Sequence, residues 1–91
     1  MSGGRHPSTP ETVTGRVMSI LGAFSHERPA LGIKEISRRT GLAKSTTHRL
    51  VTELVTWGAL ARGGESGDEY LYRPGPLILR LAAAARDEPL R

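Results

Sequence analysis

Residues 33–52 read IKEISRRTGLAKSTTHRLVT, and this stretch predicts two short helices hinged at a glycine. Ile33 and Ile36 are three positions apart and place apolar bulk on one face, as in a helix that lies on a protein surface. Gly41 ends this helix, because glycine readily takes the left-handed conformation that a helix end often needs. Leu42 follows directly, and we expect it to fold back as the apolar plug of the turn.

A second helix is predicted over residues 43–57, and its two faces differ in chemistry. Its apolar face is formed by Leu50, Val51, Leu54 and Val55, with Thr47 one turn earlier. The opposite face combines hydroxyl groups, an imidazole and two cations without a carboxylate: Lys44, Ser45, Thr46, His48, Arg49 and Thr52. A helix, a glycine-containing turn and a second helix form the helix-turn-helix motif, whose second helix lies in the major groove of DNA. This segment therefore predicts a recognition helix at residues 43–57.

The sequence on both sides of the motif predicts the rest of a winged helix domain. An apolar stripe at helical spacing, expected to be core, indicates a first helix that starts at Thr9 or a turn later and fades near Ser25: Val13, Val17, Ile20, Leu21 and Phe24. Short strands at residues 59–62 and 70–73, joined by the segment GGESGD, predict a β-hairpin wing. Pro74 ends the second strand because it has no N–H to donate, and a last helix begins at Gly75 and Pro76.

The predicted fold class is therefore mainly α with a small β-hairpin (α+β). In chain order we expect a disordered arm at residues 1–9, a winged helix-turn-helix domain at residues 10–75, and a last helix with its tail at residues 76–91.

The basic residues of the chain are concentrated on the predicted motif. The net charge is +4, and positions 28–62 hold seven cations and two anions, whereas the other positions hold six cations and seven anions. A net charge of +5 on that segment is expected of a surface that meets a polyanion. Two cations of the first motif helix, Arg38 and Arg39, are predicted to lie near the DNA backbone. On the wing, Arg62 and Arg73 at the base are the predicted contacts, since the tip is acidic.

Composition and spacing disfavour catalysis and metal binding. The 91 residues form one small domain and include no cysteine, which excludes disulfides and thiolate metal sites and fits a cytoplasmic protein. Neither a membrane-spanning run nor a signal-peptide core is present. Ser45 and His48 are three apart on one helix, but no carboxylate is placed to orient the imidazole. His6, His26 and His48 are far apart in the sequence, without the spacing of metal ligands. The sequence therefore predicts neither an enzyme nor a metal or cofactor site.

Three segments together resemble the IclR family of bacterial transcriptional regulators. The recognition segment GLAKSTTHRLVTELVTWGAL is flanked by GRVMSILGAF, similar to the first helix of the family, and by YRPGPLILRL, similar to its strand end and linker helix. The sequence departs from the family pattern at Ser37, Thr47 and Pro74, and each change keeps the approximate size of the side chain. The resemblance covers about residues 13–81.

The resemblance implies a sequence-specific DNA-binding domain of a repressor or activator. It also implies double-stranded DNA with an inverted-repeat operator as the partner, a linker helix that leads to an effector-binding and oligomerisation domain, and a homo-oligomer when that domain is joined. Without it, we expect association to be weak or mediated by Leu77, Ile78 and Leu81. An alternative function is a winged helix module that binds protein or RNA, because fold does not fix function.

Overall fold

The computed structural model describes residues 10–86, which form four helices and one two-stranded antiparallel sheet. In chain order these are α1 (Val13–Leu21), α2 (Ile33–Thr40), α3 (Lys44–Thr56), β1 (Leu60–Ser66), β2 (Glu69–Pro74) and α4 (Pro76–Arg86). The predicted α+β winged helix-turn-helix is thus confirmed. The predicted arm at residues 1–9 and the end of the predicted tail at residues 87–91 lie outside the described residues.

Helix α1 begins one turn later than the first of the two predicted starts. The N-cap is Thr12, whose hydroxyl accepts a hydrogen bond of 2.9 Å from the amide of Gly15. The helix ends at Leu21, earlier than predicted, because the amide of Ala23 turns back to the carbonyl of Ile20. Val13 was predicted to be core, which is wrong: its side chain is 64% exposed at the helix end.

The turn between α2 and α3 follows the prediction closely. Gly41 takes a left-handed conformation, with a φ of 79°, and its amide donates to the carbonyl of Ser37. Leu42 is buried beneath the turn. The hydroxyl of Ser37 donates to the carbonyl of Leu42 at 2.5 Å, so the departure from the family pattern at this position adds a bond across the turn. These contacts fix the start of α3 relative to α2.

The wing is longer than predicted, because most of the glycine-rich segment is strand. The strands pair from Leu60 opposite Pro74 to Ser66 opposite Glu69, and the loop shrinks to two residues. Between Arg62 and Glu65 the register shifts, as expected for a bulge in which two residues oppose one. The bulge thus lies within β1 and contains Gly63 and Gly64.

A short backbone pairing that the sequence analysis missed joins the wing to the segment before α2. The amide of Leu31 donates to the carbonyl of Tyr72 at 2.9 Å, and the amide of Tyr72 donates back at 2.8 Å. Both side chains are buried in the core, which also includes Ile20, Ile36 and Leu60. This bridge places β2 beside the first turn of α2.

Helix α4 is attached to the start of the wing by backbone contacts. The amide of Gly75 donates to the carbonyl of Ala59, and the amide of Leu77 donates to the carbonyl of Gly58. A Cβ on Gly75 would lie 2.5 Å from the carbonyl oxygen of Gly58, so only glycine fits at this close approach. The predicted helix start at Gly75 and Pro76 is therefore confirmed.

Thr47 lies fully buried on the inner face of α3, as predicted, and provides a test of the core. Its hydroxyl donates to the carbonyl of Ala43 at 2.9 Å, but that oxygen already accepts the amide of Thr47. Replacing the hydroxyl by a methyl group therefore leaves no acceptor unsatisfied. We expect Thr47→Val to raise the free energy of unfolding by about 0.5 to 1.5 kcal/mol, measured by urea denaturation.

DNA affinity should barely change in that variant. A large loss of affinity at an unchanged unfolding midpoint would contradict the burial of Thr47.

Candidate nucleic-acid interface

The outer face of α3 carries the side chains that the sequence predicted for DNA contact. Thr46 is half-buried, and the other five are exposed: Lys44, Ser45, His48, Arg49 and Thr52. The inner face is buried through Thr47, Leu50, Val51 and Leu54. The division arises because the apolar positions recur at helical spacing and pack on the core, which leaves the polar positions outside. The predicted recognition helix is thus anchored on one side and open to a partner on the other.

The first turn of α3 is free of a side-chain cap. Ala43 occupies the N-cap position and makes no capping hydrogen bond. Backbone amides at the start of a helix favour anions, so an uncapped first turn beside Lys44 suits a phosphate. Ser45 and Thr46 occupy the next two positions of the same turn.

An ion-pair cluster on α2 orients two of the predicted contact residues. Arg38 donates to Glu35 with Nε at 3.1 Å and with its second guanidinium nitrogen at 2.5 Å. Arg39 donates to the same carboxylate at 2.7 Å. Hydrogen bonds from Arg38 and then Arg39 lower the pKa of Glu35 from 4.5 to about 2, so the carboxylate stays ionised.

The two arginines of this cluster differ in exposure. The side chain of Arg38 is 70% exposed, whereas that of Arg39 is 27% exposed. Arg39 also donates to the carbonyl of Ala23 at 2.8 Å, which ties α2 to the segment after α1. Arg38 can therefore reach a phosphate while paired with Glu35, whereas Arg39 is occupied by contacts within the domain.

The predicted wing contacts, Arg62 and Arg73, are both exposed, but the strand register places them on opposite faces of the hairpin. The guanidinium of Arg62 is 4.4 Å from the ring centroid of Tyr70, a cation–π arrangement that holds the arginine along the strand. Arg73 is exposed, and its aliphatic stem covers the backbone of Gly63 at the bulge. Both side chains start at the base of the wing and extend along it toward the bulge.

Two further residues border the interface and were not predicted as contacts. Lys34 and Tyr70 line an open cleft of about 260 Å³ between the wing and the helix-turn-helix, where Lys44 and His48 also lie. The sequence places Lys34 and Tyr70 far apart, and the bridge between Leu31 and Tyr72 brings them together. Lys34 belongs to the basic segment noted above, and only the missed pairing could have placed it at the wing.

Other kinds of site find no support among residues 10–86. In this part of the chain no three His, Asp or Glu side chains are close enough to hold a metal ion. Ser45 and His48 are both exposed, and no hydrogen bond between them is present in the described structure. No helix between these positions is long and apolar enough to cross a membrane.

A helix-turn-helix with a cationic, hydroxyl-rich outer helix and a β-hairpin wing is a winged helix DNA-binding domain. Its family is shown by sequence: residues 13–64 match the IclR helix-turn-helix domain, and the chain belongs to the IclR family. The resemblance noted in the sequence is thereby confirmed. Domains of this family are the DNA-binding domains of transcriptional regulators.

Known relatives agree with this assignment. The chain is 39% identical over 59 residues to the HTH-type transcriptional regulator KdgR of Escherichia coli (strain K12), which covers 63% of this chain and 22% of KdgR. An IclR homolog from Microbacterium sp. strain HM58-2 superposes with a TM-score of 0.69 at 35% identity, over 81% of this chain and 29% of that one. An IclR family transcriptional regulator from Brucella abortus superposes with a TM-score of 0.67 at 38% identity, over 78% of this chain and 26% of that one. The chain thus spans about a quarter of the length of these relatives.

The cluster around Glu35 predicts an acid dependence of stability. Because the pKa of Glu35 is lower in the folded state, its contribution is present above its ordinary pKa of 4.5 and is lost as the pH falls through about 2. We expect Glu35→Gln to have a lower unfolding midpoint than the original chain near neutral pH, and the difference to vanish near pH 2. Urea denaturation at a series of pH values measures both.

Glu27→Gln removes an exposed carboxylate that makes no ion pair within the described residues, and it serves as the control. A difference between Glu35→Gln and the original chain that persists unchanged to pH 2 would contradict the ion-pair explanation.

Proposed function

We propose that this chain binds double-stranded DNA in a sequence-specific manner, with α3 in the major groove. The observation that carries the proposal is the exposed face of α3, which has cations and hydroxyl groups but no carboxylate between positions 44 and 52. Arginine and lysine donate to guanine O6 and N7, and serine and threonine to base edges or phosphates. Arg49 lies on the second turn, where base edges come within reach.

The other predicted contacts divide by position. Lys44, Ser45 and Thr46 surround the uncapped helix start and are assigned to phosphates and to the nearest bases. His48 and Thr52 continue the same face as positioning contacts. Arg38 on α2 and Arg62 and Arg73 on the wing are assigned to the DNA backbone. Arg39 is assigned mainly to holding α2, because its Nε donates to Glu35 and one of its terminal nitrogens donates to the carbonyl of Ala23.

The biological role follows from the relatives. KdgR is a transcriptional regulator, and the chain corresponds to about a fifth of it. We infer that this chain serves as the DNA-binding part of a cytoplasmic repressor or activator, that α4 acts as a linker helix to an effector-binding domain, and that the operator is an inverted repeat bound by a dimer. An inverted repeat matches the two-fold symmetry of such a dimer.

Selection of bound duplexes from a random DNA pool provides the central test. A DNA reader yields one enriched sequence, whereas a protein-binding or RNA-binding module yields none. Binding is then measured with the selected duplex and with a scrambled one. Arg49→Ala should reduce the binding free energy by about 1 to 3 kcal/mol on the selected duplex and by little on the scrambled one.

Arg38→Ala should weaken binding to both duplexes alike. It should also lower the slope of the logarithm of the binding constant against the logarithm of the salt concentration by about one ion. Arg80→Ala removes an exposed cation from α4 and is the matched control. It should change neither the affinity for the two duplexes nor its salt dependence. Equal losses for Arg49→Ala and Arg38→Ala on both duplexes would refute base readout by Arg49.

Association of this chain is expected through α4, with a change from the predicted residues. Leu77 and Ile78 pack partly against the core, whereas Leu79 is 63% and Leu81 is 58% exposed. Leu79 and Leu81 are two positions apart and lie on different sides of α4, so combining Leu79→Ser with Leu81→Ser removes the exposed leucines from both sides. This double variant should abolish any dimer detected by sedimentation at micromolar concentration. Point variants are preferred to removal of α4, because Leu77 also anchors the wing. A dimer of unchanged stability in the double variant would contradict this interface.

A further inference from the structure

The cleft between the wing and the helix-turn-helix has walls of opposite charge. Lys34 and Lys44 line one wall, with His48 beside them, and the carboxylates of Asp68 and Glu69 line the other. The ion pairs within residues 10–86 are those of Glu35 on α2, so no pair within 4.0 Å joins the two walls. The lysines are therefore not neutralised by direct contact, although two carboxylates face the same space.

Glu69 is held close to the first turn of α2. Its carboxylate fills the space in which a Cβ on Gly32 would stand, and Gly32 is the N-cap residue of α2. The bridge from Leu31 to Tyr72, three residues beyond Glu69, fixes this part of the wing against the helix. The position is electrostatically favourable, because a negative charge is stabilised at the start of a helix. The carboxylate of Glu69 can approach the start of α2 because Gly32 has no side chain.

A bound duplex would bring phosphates to the same place. When α3 lies in the major groove with its first residues at base edges, the DNA strands that border the groove pass close to the first turn of α3. Lys44 lies on that turn and Lys34 lies across the cleft from the wing tip. A phosphate drawn to these lysines would stand near Glu69, and the two negative charges would repel each other.

We propose that the wing carboxylates, and Glu69 above all, compete with a DNA phosphate for Lys34 and Lys44. The wing tip thereby lowers the affinity of the domain for every duplex, and sequence recognition depends more on α3. This inference rests on the proposed DNA-binding function. Since all duplexes carry phosphates, the effect is equal on the selected and the scrambled duplex.

The size of the effect follows from Coulomb's law. Two unit charges about 8 Å apart in water change a binding constant about twofold. Glu69→Gln should therefore tighten binding about two- to threefold at low salt on both duplexes. The gain should shrink as salt rises, because exposed charges are screened beyond about 10 Å at 0.1 M.

The matched control is Glu65→Gln on the same hairpin. It makes the same change of charge, but Glu65 does not line the cleft. Fluorescence anisotropy with the complete 91-residue chain at about 50 mM and about 200 mM salt compares the two variants. The proposal predicts a clearly larger gain for Glu69→Gln. Equal gains, or none for Glu69→Gln, would overturn it.

Gly32→Ala provides a second test that leaves the net charge unchanged. Its methyl group would stand where the carboxylate now stands, and the flexible glutamate side chain must move away. Affinity for both duplexes should again rise, with thermal melting used to confirm that the variant is folded. An unchanged affinity in a folded Gly32→Ala chain would refute the importance of the position of the carboxylate. Failure of the proposed function is seen separately, as equal binding of selected and scrambled duplexes by the original chain.

Discussion

The pairing of Leu31 with Tyr72 is the constraint on which the interface depends. Two reciprocal backbone hydrogen bonds join the segment before α2 to the second strand of the wing, and both side chains are buried. Burial excludes water from these bonds, so opening them would leave polar groups unsatisfied in the core. The packing of β1 against α3 and the contacts of α4 hold the start of the hairpin, and this bridge holds its second strand against the segment before α2. The position of β2 beside the first turn of α2, and hence one side of the cleft, follows from it.

The helical part of the fold could be predicted from the sequence because it depends on local patterns. The spacing of Leu50, Val51 and Leu54 fixes the buried face of α3, and Gly41 fixes the end of α2. The same spacing places Thr47 in the core, where its hydroxyl returns to the preceding turn. The exposed contact face of α3 then follows without knowledge of the tertiary structure, since it is the remainder of the helix surface.

The length of the wing and the partners of the arginines could not be predicted in the same way, because they depend on distant residues. A run of glycines signals a loop, yet here Gly63 and Gly64 lie in a bulged strand that pairs with β2. Arg39 has the sequence context of a DNA contact, but the carbonyl it binds belongs to Ala23, sixteen positions earlier. Lys34 was left out of the predicted site because nothing local places it opposite the wing tip.

The distribution of charge in this small domain bears on two kinds of DNA contact: non-specific contacts to phosphates and specific contacts to bases. A basic surface binds any DNA, and added cations raise specific and non-specific affinity together. Discrimination between sequences requires that contacts to bases contribute a larger share of the binding energy. Here the cations on α2 are partly paired with Glu35, and the wing tip presents carboxylates instead of lysines. Under the proposed function, both features weaken the contribution of phosphates, and Arg49, the proposed base contact on α3, does not line the cleft. On this proposal the domain has a lower affinity for DNA in general, and contacts between α3 and the bases determine where it binds.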